Sequence, residues 1–322
     1  VAFLSFALTG KTVRLLGDPM QFKAIEIEDY GVLKPFFENQ PYRHSNYSLF
    51  SIMVWSDQAF RTSYALKDGS VLFLNEPALN STDRHLFLPV SPARKPGPAQ
   101  LRALATEAGV PQYWFVPDEY MRYHDRGEIE AQFTIMEQPE YEDYIYLTED
   151  LARLRGNRFA GKRNQIRQFV RAYVETNRAV VEKMTADHAG DCLRFLEKWC
   201  KIRDCDADVN YDLDCERKAA ILALQNVHRL DVEGIVIRVD GVVSAFAIAS
   251  RLRDDIGVLN FEKAFPDIRG LYQFLDRECA RGILSGYHYT NKESDMGISN
   301  LAQMKKAYRP VTKEKCYRLQ LR

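Results

Sequence analysis

No stretch of this chain is long and apolar enough to cross a bilayer, which takes roughly 20 residues, and its charges cancel, 44 Lys and Arg against 44 Asp and Glu. Zero net charge excludes an overall electrostatic footprint for nucleic acid or anionic membrane, so any such contact must come from local patches. Residues 1–8 are apolar apart from Ser5 but carry no basic leader, so they read as a strand or a vector-derived remnant. There is no GxxxxGK[ST] phosphate loop, no GxGxxG, no HExxH and no GxSxG, and the six histidines are scattered. Six cysteines are present without a paired C-x2-C knuckle. Cys200 and Cys205, near His188, approach metal spacing, but Cys192 shares an apolar helix face with Leu193, Leu196 and Trp199. A reduced, cytoplasmic set of thiols is the expectation, and no residue is assigned to a metal.

What is present is a globular balance, 46% hydrophobic and 27% charged over 322 residues, enough for two domains that each bury a core. One order of elements occurs twice. A strand at 22–27 is followed by a helix ending Phe36-Phe37-Glu38, and a strand at 180–184 by a helix ending Phe195-Leu196-Glu197. Each copy then carries a hairpin turning on Asp-Gly, Asp68-Gly69 in residues 62–75 and Asp240-Gly241 in residues 234–250. A central strand (86–90, then 258–264), a helix (99–108, then 271–281), a last strand (113–116, then 287–290) and a last helix (117–123, then 299–308) complete the match. The boundary falls near residue 138, giving domains 1–138 and 139–322, with 141–175 as a basic bridging element. Where the first central strand reads Phe87-Leu88-Pro89, the second reads Phe261-Glu262-Lys263, so the second copy is expected to carry the site.

Glu262 and Lys263 face opposite sides of their strand, and one of them must face a cleft. A carboxylate there can accept the proton of an attacking amine or hydroxyl; an ion pair to Lys292 or Arg269 fits the same residues. The last strand runs into Asn291, Lys292, Glu293 and Asp295, then Gly297 and a helix with Ile298, Leu301, Ala302 and Met304 on one side, Ser299 or Asn300 as cap, and Pro310 as stop. Ionisable side chains crowded at a helix mouth resemble a site more than a scaffold. Residues 151–174 contain no acid but Arg153, Arg155, Arg158, Lys162, Arg163, Arg167 and Arg171, with Arg163, Arg167 and Arg171 on one helix face opposite Ile166, Val170 and Tyr173. Residues 305–322 add seven basic residues against one Glu. Such runs are often plain solvated faces, but two of them in a neutral chain also suit a bound polyanion: a tRNA acceptor end, a phosphate-containing small molecule or a lipid head group.

Taken together, Asp143-Tyr144-Ile145-Tyr146, Lys162-Arg163-Asn164, Glu262-Lys263 and Asn291-Lys292-Glu293-Ser294-Asp295-Met296-Gly297 resemble a bacterial family of unknown function. That family is related to the C-terminal domain of phosphatidylglycerol lysyltransferase. Lys292 for Arg and Met296 for Leu are the departures, and a lysine cannot make a forked contact. The resemblance covers residues 22 to the C-terminus and implies a mixed α/β protein of two tandem GNAT-like (N-acetyltransferase-like) domains. It implies an acyltransferase that moves an aminoacyl group from aminoacyl-tRNA to an amine or hydroxyl. In many GNAT enzymes a Gln/Arg-x-x-Gly-x-Gly/Ala turn cradles the coenzyme A pyrophosphate. Here that turn begins with Asp267 and ends with Tyr272, which disfavours coenzyme A, and no other cofactor is expected. The alternatives are a coenzyme A-dependent N-acyltransferase and a non-catalytic protein that keeps the fold and holds an anion. On this reading Glu262 is the general base, with Asp295 and Glu293 beside it in the same cavity. Asn291, Lys263, Lys292 and Tyr308 contact substrate, and Lys162, Arg163, Asn164, Arg167, Arg269 and Lys305 bind phosphate or tRNA.

Overall fold

The protein is described here by a computed structural model covering residues 20–56, 60–77, 83–92, 95–203 and 212–322, with backbone only for 212–214. Residues 1–8 and Cys205, both addressed above, lie outside the described residues. Two seven-stranded mixed sheets organise the chain, and the expected order of elements recurs up to the last matched helix of each copy, after which the two differ. The first unit runs β1 (Lys23–Ala24), α1 (Tyr30–Phe37), α2 (Leu49–Trp55), β2 (Phe60–Lys67), β3 (Ser70–Pro77), β4 (His85–Leu86), α3 (Pro98–Ala108), β5 (Gln112–Pro117), α4 (Asp118–Tyr123), α5 (Arg126–Gln132) and β6 (Phe133–Glu137). After β7 (Asp143–Leu147), α6 (Thr148–Arg153) and α7 (Ala160–Phe169), the second unit repeats the series. It comprises β8 (Ala179–Lys183), α8 (Ala189–Arg203), α9 (Asp212–Gln225), β9 (Val232–Val239), β10 (Val242–Arg251), β11 (Ile256–Ala264), α10 (Leu271–Arg281), β12 (Tyr289–Asn291), α11 (Ser299–Lys306), β13 (Thr312–Glu314) and β14 (Cys316–Leu321).

Both hairpins close where the sequence places them. Asp68, Gly69, Asp240 and Gly241 all have positive φ, as a two-residue turn matched to strand twist requires. The boundary near residue 138 separates the sheets only in part. The first sheet has the order β1-β2-β3-β4-β5-β14-β6 and the second β13-β7-β12-β11-β10-β9-β8. β7, just past the end of the first unit, inserts beside β12, and β14, at the end of the second, inserts between β5 and β6. The second unit thus completes the first sheet with its last strand. Strand pairing is set by non-local partners, so hydrophobic alternation carries no sign of this crossing.

The second sheet is covered on both faces. Phe195, Trp199, Ala220 and Leu224 of α8 and α9 cover one, joined by Phe50 and Val54 from α2 of the first unit. Ile166 and Phe169 of α7 and Leu271, Phe274 and Leu275 of α10 cover the other. Gly270, at the start of α10, has φ +83°, and an added Cβ would lie 2.2 Å from the Gln165 carbonyl oxygen of α7. The bridging helix therefore sits directly on the amino end of α10.

At the seam between the units, Glu314 of β13 is 4% exposed and faces Glu119 of α4, whose two carboxylate oxygens are buried without another hydrogen-bond partner. Burial, then the Glu119 carboxylate, pushes the Glu314 pKa up to about 8 from 4.5, so the pair holds a proton at neutral pH. The folded protein keeps that proton between pH 4.5 and 8 while the unfolded chain gives it up, so stability falls as pH rises through this window. Glu314→Gln is expected to remove this component. Urea titrations at pH 5.5 and 7.5 should show a stability loss in the wild type, approaching about 1.4 kcal/mol per pH unit for one proton, that is reduced in the variant.

Candidate functional site

β11 and β12 run parallel and pair at Ile256–Tyr289, Gly257–Thr290 and Val258–Asn291, and there the pairing stops. Beyond Asn291 the chain stays with β7 instead, the Lys292 amide donating to the Tyr144 carbonyl and the Tyr144 amide to the Glu293 carbonyl. β11 continues alone on that side to Ala264, with a bulge at Asn260 that re-aims the residues after it. A gap opens between the strands, and its sides are lined by ionisable groups.

On the side of α10, Glu262 points at Lys292, whose ammonium lies 3.1 Å from Glu262 Oε2 and 2.9 Å from Asp276 Oδ2. Tyr308, just after α11, offers its ring to both Lys292 (5.0 Å) and Lys162 of α7 (4.0 Å). Burial and the Asp276 carboxylate push the Glu262 pKa up to about 7, against the opposing pull of Lys292. Burial alone would lower the Lys292 pKa, but Asp276 and Glu262 override it and hold Lys292 charged. Burial, reinforced by Asp276 and Glu262, holds the Tyr308 phenol well above its ordinary value, so it stays protonated. Burial lowers the Lys162 pKa. The Glu262 side chain keeps 18% of its surface accessible, Lys292 12% and Asp276 4%. Glu262 is thus a reachable carboxyl that titrates near neutrality. Asp276 was not anticipated. Its signal is an acid placed three and four residues before Cys279 and Ala280, on the buried side of α10.

The opposite side carries other partners. Lys263 is buried, 2.5 Å from Glu216 of α9 and 4.4 Å from the Trp199 ring centre, so it lies across the sheet from Glu262. Glu293 comes within 3.5 Å of the Asn260 side-chain amide, and burial pushes its pKa up to about 8. The acids expected in one cavity are therefore divided: Glu262 faces Lys292 and Asp276 of α10, and Glu293 faces Asn260 of β11. Asp295 pairs with neither, since its oxygens accept from the Tyr144 hydroxyl and the Gly297 amide and fix the turn into α11. That turn, rather than Ser299 or Asn300, caps the helix, and Ile298 and Met304 are exposed rather than buried.

Several residues expected to touch ligand are occupied. Asn291 is fully buried, donating to the Arg43 carbonyl (3.1 Å) and Asp143 (2.8 Å) and accepting from the Glu293 amide (2.7 Å). Lys305 gives its three ammonium protons to the carbonyls of Lys292, Glu293 and Ser294 at 2.5, 3.1 and 2.5 Å, and burial lowers its pKa to about 8. Arg163 folds back onto the carbonyls of Leu154 and Gly156. Both cations are thus engaged by backbone carbonyls: periodicity reports which face a side chain is on, not which carbonyls wait beneath it. Asn164, Arg167 and Arg269 are exposed, as are Arg155 and Arg171. The basic run 305–322 does not form one surface, because Lys313 pairs with Glu142 and Lys315 with Glu137 at the edges of two different sheets. Among the described residues no group of His, Cys, Asp and Glu is arranged to hold a metal, and no helix is long and apolar enough to cross a membrane.

The family described as phosphatidylglycerol lysyltransferase, C-terminal, matches residues 39–320. The chain belongs to that family. It is similar to the crystal structure of a conserved protein of unknown function from Bacteroides thetaiotaomicron VPI-5482, with 29% identity, a TM-score of 0.82, and 94% of this chain and 100% of that one covered. It is also similar to the C-terminal domain of a putative lysylphosphatidylglycerol synthetase from Agrobacterium fabrum, with 12% identity, a TM-score of 0.60 and 91% of each chain covered. No functionally curated protein matches it.

Lys305→Met keeps the aliphatic stem but leaves three buried carbonyls without their donor. It should cost about 2 kcal/mol or more of stability, measured by urea unfolding, whereas Lys306→Met on the exposed side of the same helix should stay within about 0.5 kcal/mol.

Proposed function

We propose that the protein transfers an aminoacyl group from an aminoacyl-tRNA to an amine or hydroxyl acceptor, a phospholipid head group among the candidates, in the gap between β11 and β12. The observation that carries this is Glu262: a reachable carboxyl whose pKa stands near 7, at the point where the strands part. A base poised near the working pH takes up the acceptor's proton as its nitrogen or oxygen attacks the ester carbonyl. The ester C–O bond then breaks, and the departing ribose oxygen needs a proton. The Tyr308 phenol, kept protonated, can supply it and regain one from Glu262. Lys292, clamped by Asp276 and Glu262, keeps a positive charge at the centre of the site.

A tRNA donor rather than coenzyme A is supported by the bridging helix. α7 lies on the amino end of α10, the place where a pyrophosphate would seat, and the Gln165 carbonyl approaches Gly270 too closely for anything to intervene. The exposed arginines 155, 167 and 171 on and beside α7 offer charge to a nucleic-acid backbone. One observation favours a second reading. In the first unit, Arg94-Lys95-Pro96-Gly97-Pro98-Ala99 fits the Gln/Arg-x-x-Gly-x-Gly/Ala pattern, and space around Gly97 is open. Coenzyme A bound there would make the protein a coenzyme A-dependent acyltransferase.

Mass-spectrometric detection of aminoacylated product from charged tRNA and a panel of phospholipids and amines tests the proposal. Glu262→Gln should lower the transfer rate by about 100-fold or more with little loss of stability, and Arg167→Ala with Arg171→Ala should weaken tRNA binding and flatten its salt dependence. Full activity in Glu262→Gln would remove the assigned base. Salt-independent tRNA binding, together with low-micromolar acetyl-CoA binding by calorimetry, would favour the second reading.

A further inference from the structure

Lys162, Lys263, Lys292 and Lys305 border the gap, and three of them are held. Lys292 is clamped between Glu262 and Asp276, Lys305 gives its protons to three carbonyls, and Lys263 pairs with Glu216. Lys162 differs. It reaches in from α7, half-buried, with its ammonium 4.0 Å from the centre of the Tyr308 ring that Lys292 also touches. Among the described residues it makes no hydrogen bond and no ion pair. A basic residue on a helix face is usually solvated, but this one is turned onto a ring and shares it with a second ammonium. Glu262 of β11 and Asp276 of α10 favour its charge and Lys292 opposes it, while burial outweighs the two acids and lowers its pKa. Desolvation and a neighbouring cation are the conditions that make a lysine nucleophilic near neutral pH. Lys305 has a lowered pKa too, but three carbonyls enclose its nitrogen and leave no path for attack. The transfer step leaves the Lys162 amine unused.

We infer that Lys162 is a covalent control site, acylated on its side-chain amine by small activated acyl donors of the acyl phosphate class, and that acylation switches off Glu262. In the modification the free amine attacks the acyl carbon, and the bond from that carbon to the phosphate oxygen breaks. Inorganic phosphate departs with the electron pair, and the extra proton on nitrogen passes to water. No other reactant is needed. The opening is narrow, with Glu262 keeping 18% of its side-chain surface accessible and Lys292 12%, so a short acyl group fits better than a long chain. An amide nitrogen carries no positive charge. The Lys162 charge pulls the Glu262 pKa down, so without it the Glu262 carboxyl keeps its proton to a higher pH and is less ionised at pH 7. The chemistry at Lys162 does not depend on which group the gap transfers; only its effect on turnover rests on reading Glu262 as the base.

The probe is acetyl phosphate. The full chain is incubated with it at about pH 7.5, near the physiological range in which a lowered lysine pKa tells, and acetylation of each lysine is followed in time by mass spectrometry of peptides. Lys162 is expected to react at least about fivefold faster than the exposed Lys306 of α11, whereas Lys263, Lys292 and Lys305 stay unmodified. The consequence is read on the Glu262 carboxyl by carbon-13 NMR. Its titration midpoint should rise in wild-type protein acetylated at Lys162 and in Lys162→Gln, and stay in place in Lys162→Arg. Lys162 reacting no faster than Lys306 would overturn the control site. Fast reaction with an unmoved Glu262 midpoint would overturn the switch. Both readings are taken on wild-type protein, so a variant that fails to fold leaves the test intact. Neither uses tRNA or an acceptor, so their failure is distinct from failure of the proposed function.

Discussion

Everything that distinguishes the second unit follows from one pairing choice: after Asn291 the chain hydrogen-bonds to β7 and abandons β11. β7, β12 and β11 are successive neighbours in the second sheet, so the gap is built from strands of residues 139–322. Once the strands part, alternation along the segment sends Lys292 to one side and Glu293 to the other. Lys305 then fixes that alternation by holding three consecutive carbonyls, and Asp295 with Tyr144 secures the turn that follows. The site is thus assembled by backbone contacts that no substrate needs to touch.

The corresponding splay in the first unit is filled by apolar and aromatic side chains. In the first unit β4 and β5 pair only at Leu86–Tyr113, and the space beyond is filled by Phe87, Leu88 and Tyr47, whose phenol oxygen accepts the Leu88 amide. That arrangement is apolar and satisfied. The second unit instead buries Glu262, Asp276 and Lys292 together. Bringing charges out of water is costly even when they are paired, and apolar packing of the same volume is often as stable or more so. An ion cluster kept where its duplicate is apolar fits a requirement of function, since stability alone does not call for it.

The parts of this account that sequence could supply are those set by local rules. Asp-Gly fixed both hairpins because only residues tolerant of positive φ close a two-residue turn, and Leu271, Phe274, Leu275 and Cys279 placed α10 by their spacing. Glu262 stood out because its counterpart is Leu88. Long-range pairing was not legible. Nothing in residues 143–147 or 316–321 says which sheet they join, so the crossing of β14 into the first sheet had no sequence signal. The inward turns of Lys305 and Arg163 were hidden for a related reason: a basic residue on a helix reads as solvated until the carbonyls it will meet are known. Asn291 and Asp295 serve the geometry of the loop after β12. Lys292 and Glu293 are the members of the loop that face the gap.

The most direct test of the central claim is the titration of Glu262 itself. Carbon-13 NMR of protein labelled at the glutamate side-chain carboxyls, with Glu262→Gln used to assign the resonance, reports its ionisation without any substrate. The account predicts a midpoint near pH 7 for Glu262, moving lower in Asp276→Asn, where a neighbouring negative charge is lost. A Glu262 carboxyl that titrates near 4.5, like an ordinary glutamate, and does not respond to Asp276→Asn would contradict it.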